Sequence, residues 1–71
     1  MDISKKLGKT IYSLRKEKGI SQESFANKIG VHRTYIGMIE RGEKNVTIVT
    51  LSKIAKGFNM HIWEILRKAN L

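Results

Sequence analysis

Apolar residues recur early in the chain at Ile3, Leu7, Ile11 and Leu14, with lysines on the other faces. Steps of four, four and three residues put these side chains on one stripe of a helix, which the spacing predicts over about residues 3 to 18. Gly19, after the stretch Arg15-Lys16-Glu17-Lys18, is the expected stop. Ser21 is placed to cap a second helix, with Glu23 in its first turn and Phe25, Ala26 and Ile29 as its apolar residues. Only glycine enters the left-handed backbone region without steric cost, so this helix should end at Gly30. A third helix follows from about Arg33 to Arg41, with Ile36 and Ile39 inward and Gly42 as its stop.

After a polar connection from Glu43 to Val46, Thr47 is the expected cap of a fourth helix. Its inner face is Val49 (or Ile48), Leu51, Ile54 and Ala55, and Phe58 closes it. A fifth amphipathic segment, His61 to Ala69, carries Ile62, Trp63, Ile65 and Leu66. Proline is absent and the β-branched residues do not alternate as they would in strands. The pattern predicts an all-α domain of five helices, one unit over residues 1–71 without linker or repeat.

Composition narrows the partners. Seventy-one residues support a single small core. There is no cysteine to form a disulfide or a thiolate metal site, and His32 and His61 are too far apart for a local ligand pair. Neither a metal nor another cofactor is expected, and a partner subunit becomes the natural source of extra stability. Fourteen Lys and Arg against six Asp and Glu give a formal charge of +8, which favours nucleic acid, an acidic membrane face or an acidic protein. No apolar run approaches the roughly 20 residues of a membrane span. The start, MDISKKLGK, lacks the hydrophobic middle of a signal peptide, so a cytoplasmic protein without a membrane partner is expected. An enzyme is not expected, because no acid–base pair, activated nucleophile or phosphate-cradling glycine loop is visible.

The second and third helices lie about three residues apart, and their residue sizes fit two helices that cross steeply. Small Ala26 falls at the closest approach, Gly30 falls in the turn, and Phe25, Ile29, Val31, Ile36 and Ile39 fall where the pair shares a core. An ordinary helical hairpin would not require all of these together. Adding LRKEKGISQ from Leu14, YIGMIERG from Tyr35 and LSKIAK from Leu51, residues about 4 to 66 resemble the helix-turn-helix domain of the phage repressor and Cro family. Within that family, HRTYI followed by ERGEKNVT is most similar to the small controller proteins of restriction-modification operons. The resemblance implies a sequence-specific transcriptional regulator whose partner is double-stranded DNA.

In this motif the N-terminal part of the second helix enters the major groove. His32, Arg33 and Thr34 occupy that end, with Gly37 and Met38 one turn further along the same side, and these five are the base-reading candidates. Arg33 suits a bidentate contact to guanine O6 and N7, worth roughly 1 to 3 kcal/mol of discrimination. Thr34 can offer its methyl to thymine or its hydroxyl to a base edge or phosphate, and His32 either touches a phosphate or reads a base. Gly37 stands where the resemblance implies serine or another polar residue, and its missing side chain would let the helix sit closer to the bases. Gln22 is the phosphate contact that the resemblance implies, with Ser21, Arg41, Lys44 and Asn45 as further candidates. Arg41 and Lys44 also have a reading as solvated surface charges, and Tyr35 either reaches a phosphate or packs inward. Lys5, Lys6, Lys9 and Lys16 read as a solvated face. The resemblance also implies an internal ion pair of Arg15 with Glu40 that joins the first helix to the third.

One such domain supplies about half the contacts that specific affinity requires, so a homodimer on an inverted repeat is expected. Trp63 is read as internal, while Ile65, Leu66 and Leu71 are assigned to the symmetry mate. The alternative is that the C-terminal apolar residues only close the monomer core. No small-molecule effector is expected. The competing functions are a protein-interaction or antitoxin-type module, an RNA binder and a basic amphipathic membrane binder.

Overall fold

A computed structural model describes residues 2–71. It contains five helices and, among the described residues, no strand: α1 Ile3–Glu17, α2 Gln22–Ile29, α3 Arg33–Glu40, α4 Ile48–Gly57 and α5 Ile62–Lys68. Most helix starts are fixed by a local side chain that accepts a bond from an otherwise unpaired amide, a contribution of about 1 kcal/mol each. Asp2 accepts from the Lys5 N–H at 3.2 Å, Ser21 Oγ from Ser24 at 3.0 Å and Thr47 Oγ1 from Thr50 at 3.1 Å. At α5 the reach is backwards, with the His61 N–H donating to the Glu64 carboxylate at 2.8 Å.

Gly30 takes φ +76° at the end of α2, and the Val31 N–H then bonds the Ala26 carbonyl at 3.0 Å. This left-handed closure satisfies two loose carbonyls and turns the chain sharply into α3. The same hydrogen-bond pattern closes α1, through Ile20 N–H to Arg15 O at 3.2 Å, and α3, through Glu43 N–H to Met38 O at 2.9 Å.

The helices then pack by their apolar stripes: α1 lies on α3 and α5, α2 on α3 and α4, and α4 on α5. Leu7, Ile11 and Leu14 share one buried core with Phe25, Ala26, Ile36 and Ile39 and with Leu51, Ile54, Phe58 and Ile65. Phe25 and Phe58 stack with centroids 4.4 Å apart. Two glycines permit the closest crossings. A Cβ on Gly8 would collide with the Ile39 and Glu40 carbonyls, and one on Gly57 would press on Phe25 and Ile29.

Several apolar residues face differently from the expectation. Ile3 is 60% exposed and does not continue the α1 stripe. Ile48 and Val49 are 70% and 66% exposed, because no helix among the described residues covers the first turn of α4. Trp63 is 59% exposed, whereas Ile65 is fully buried. The short α5 buries Ile65 and Ala69 and rests Ile62 and Leu66 partly against the core. Trp63 stands two residues from Ile65, roughly 200° round the helix. Ile65 therefore belongs to the monomer core and is unavailable to a symmetry mate.

Candidate nucleic-acid interface

The Arg15–Glu40 pair fixes how α1, α2 and α3 sit together. Arg15 Nε donates to Glu40 Oε2 at 2.8 Å and Nη2 to Oε1 at 3.1 Å, while Nη1 donates to the Ile20 carbonyl at 2.7 Å. Gln22 Nε2 adds a bond to Glu40 Oε1 at 2.9 Å. Both charged side chains are almost entirely enclosed, at 7% and 3% exposure. The Tyr12 ring covers the guanidinium, with Cζ 5.4 Å from its centroid. The hydrogen bond to Glu40 raises the Arg15 pKa, and burial opposes it. Among the described residues no buried side-chain polar atom lacks a partner, the condition under which an enclosed ion pair is tolerated.

The N-terminal end of α3 projects from this junction. His32 is the N-cap, in extended backbone, and its Nδ1 accepts from the Thr34 N–H at 3.1 Å. The imidazole is thereby oriented with Nε2 outward. Arg33 and Thr34 follow on the exposed face. Arg33 Nη1 lies 3.5 Å from Glu23 Oε1 across the turn, both side chains being about two-thirds exposed. Water screens such a pair, which contributes at most about 1 kcal/mol.

One turn later the face departs from the expectation. Gly37 is buried, not exposed, because the Gln22 and Arg41 side chains lie over it. Met38 is half-buried, and Tyr35 is partly buried with its ring against the core. Arg41 Nε and Nη2 bond the Glu43 carboxylate at 2.9 and 3.2 Å. That hydrogen bonding raises the Arg41 pKa and lowers that of Glu43. Ser21 Oγ is engaged in capping, and Asn45 Oδ1 accepts from Ser4 Oγ at 2.7 Å, tying the loop after α3 to the start of α1. Lys44 is exposed in the same loop.

His32, Arg33, Thr34, Gln22, Arg41 and Lys44 thus sit on or beside α3, while Leu66 and Leu71 lie at the C-terminal end of the chain. The sequence reading missed the carboxylates of Glu23 and Glu43 as partners of the two arginines. For Glu43 a signal existed, two residues from Arg41 behind a glycine turn; for Glu23, ten residues from Arg33, none did. Among the described residues no helix is long and apolar enough to cross a membrane.

A helix-turn-helix family model matches residues 11–62. The chain is 42% identical over 71 residues to the control protein C.SmaI of Serratia marcescens, covering all of this chain and 84% of that one. It is 45% identical over 65 residues to the control protein C.MunI of Mycoplasma sp, covering 90% and 88%. The crystal structure of the restriction-modification controller protein C.AhdI from Aeromonas hydrophila superposes with a TM-score of 0.85 at 37% identity, covering 87% of this chain and 94% of that one. With a family model spanning both helices of the motif and relatives matching nearly end to end, the chain belongs to the helix-turn-helix family of transcriptional regulators.

Proposed function

We propose that this regulator binds double-stranded DNA as a homodimer on an inverted repeat, in the manner of a restriction-modification controller. The observation that carries the reading is the exposed start of α3, with His32, Arg33 and Thr34 outward on a helix pair locked by Arg15, Glu40 and Gln22. A helix end of this kind fits the major groove, where Arg33 reads guanine and Thr34 a neighbouring base or phosphate. Ser21, Lys44 and Asn45 flank it and set register on the backbone, assisted by the excess positive charge. A regulator of this kind works in the cytoplasm, and its own concentration and dimerisation equilibrium serve as its control.

The symmetry mate is assigned to the apolar surface that the monomer leaves open. Ser52, Lys56, Met60 and Trp63 line a shallow groove between α4 and α5, and Ile48 and Val49 stand one turn before Ser52. Trp63, Ile48 and Val49 therefore replace Ile65 beside Leu66 and Leu71. Large exposed apolar residues this close together are what a self-complementary interface buries.

Selection of bound duplexes from a random pool tests the reading. The expected result is an inverted repeat with half-sites one helical turn apart, bound with a steep salt dependence. Sedimentation equilibrium of Trp63→Glu and Val49→Glu should show monomers where the parent protein is dimeric. Uniform affinity for all duplexes, or a parent protein that stays monomeric on DNA, defeats the proposal.

A further inference from the structure

The middle of α3 holds an arrangement that its helix-turn-helix role alone does not require. At Gly37, a Cβ would stand 3.2 Å from Arg41 Nη1, 3.7 Å from Gln22 Oε1 and 3.8 Å from Gln22 Nε2. Two long side chains, one from α2 and one just past the end of α3, therefore both lie over the position where α3 has no side chain of its own. Position 37 is four residues from Arg33 and three from Thr34, on the same face of the helix.

Each side chain is held in a defined orientation. Gln22 Nε2 donates to Glu40 Oε1 at 2.9 Å. A carboxylate can only accept, so the amide is fixed with its carbonyl oxygen turned away from Glu40. Glu43 takes the Nε and Nη2 edge of Arg41, at 2.9 and 3.2 Å, which leaves Nη1 as the end that lies over Gly37. The seat over Gly37 therefore carries a donor, Arg41 Nη1, beside an acceptor, Gln22 Oε1.

We propose that Gly37 is a specificity-determining residue, whose missing side chain seats Arg41 Nη1 and Gln22 Oε1 as a composite reader of one base pair. A donor next to an acceptor complements adenine in the major groove, whose N7 accepts and whose N6 donates. Gln22 and Arg41 are base readers at this point, and Glu43 positions Arg41. The inference rests on the DNA-binding reading above.

Adding one methyl group is the direct test. In Gly37→Ala the new Cβ crowds the mobile end of Arg41, not backbone, so the fold survives. Replacing a mid-helix glycine by alanine should raise Tm by roughly 4–8 °C. Duplex selection with the parent protein should show a preference for adenine at one position of each half-site. In Gly37→Ala that preference should fall at least tenfold while the columns read by Arg33 and Thr34 stay unchanged. Glu43→Gln should weaken the same column and no other. A Gly37→Ala protein with the parent's full base preferences overturns the composite reader and leaves DNA binding standing, whereas a parent protein without base preference overturns both.

Discussion

Arginine meets carboxylate in two regions of this molecule, and the surroundings give the same chemistry opposite uses. At the junction of α1, α2 and α3, Arg15 and Glu40 are enclosed, doubly hydrogen-bonded and completed by Gln22 and the Ile20 carbonyl. On the α3 face, Arg33 faces Glu23 and Arg41 faces Glu43 with all four side chains half exposed or more. In the first case neither partner has water to return to, so the pair is a permanent joint. In the second, water stands ready to replace either partner, so Arg33 can exchange Glu23 for a base or phosphate at little cost, while Glu43 engages one edge of Arg41 and leaves its Nη1 open.

Removing one partner of the enclosed pair should have the largest effect. Glu40→Ala strands a buried guanidinium and should destabilise by about 3–5 kcal/mol, a large part of the roughly 5–15 kcal/mol typical of a domain. Urea denaturation at fixed protein concentration measures this. The double variant Arg15→Met with Glu40→Leu should lose clearly less than the two single changes added together; simple additivity would mean the joint is not a coupled unit.

On the exposed side, Arg33→Ala should leave the unfolding free energy from urea denaturation within about 0.5 kcal/mol of the parent. Its discrimination between preferred and scrambled duplexes should drop by roughly 1 to 3 kcal/mol, read by competition mobility shift. Glu23→Gln should act in the opposite direction, releasing Arg33 and tightening duplex binding by no more than about fivefold. If it instead unfolded the protein like Glu40→Ala, the contrast between the regions would be lost.

The smallest effect concerns pH. Hydrogen bonding to Arg41 holds the Glu43 pKa below its ordinary 4.5 in the folded state. The pair's stabilisation is thus complete above the ordinary value and is lost as pH falls through the folded one. Glu43→Gln should flatten the acid limb of the stability curve below that range and change nothing between about pH 6 and 8.

Much of this architecture was legible because it is written in local chemistry. The caps at Ser21 and Thr47, the stop at Gly30 and the spacing of Leu7, Ile11 and Leu14 act over a few residues, and a helix needs little else to begin or end. The start of α3 was legible for a related reason: three polar residues, His32, Arg33 and Thr34, interrupt an apolar pattern where burial would be costly. Illegible were the directions of Ile48, Val49, Trp63 and Ile65. On α4 and α5 apolar residues occupy more than one face, and periodicity cannot say which face meets the core. The cover over Gly37 was hidden too, since it is made by Gln22 from another helix and Arg41 from the next turn.

By itself, then, the sequence determined five helices, their ends, the steep helix pair and an excess of positive charge, because each depends on neighbours along the chain. Tertiary packing decided the rest. It buried Ile65 and exposed Trp63, enclosed one arginine with its carboxylate and left two others in water. Those outcomes depend on which surfaces meet after the helices form, and that is settled only by the competition of all the apolar stripes for a single small core.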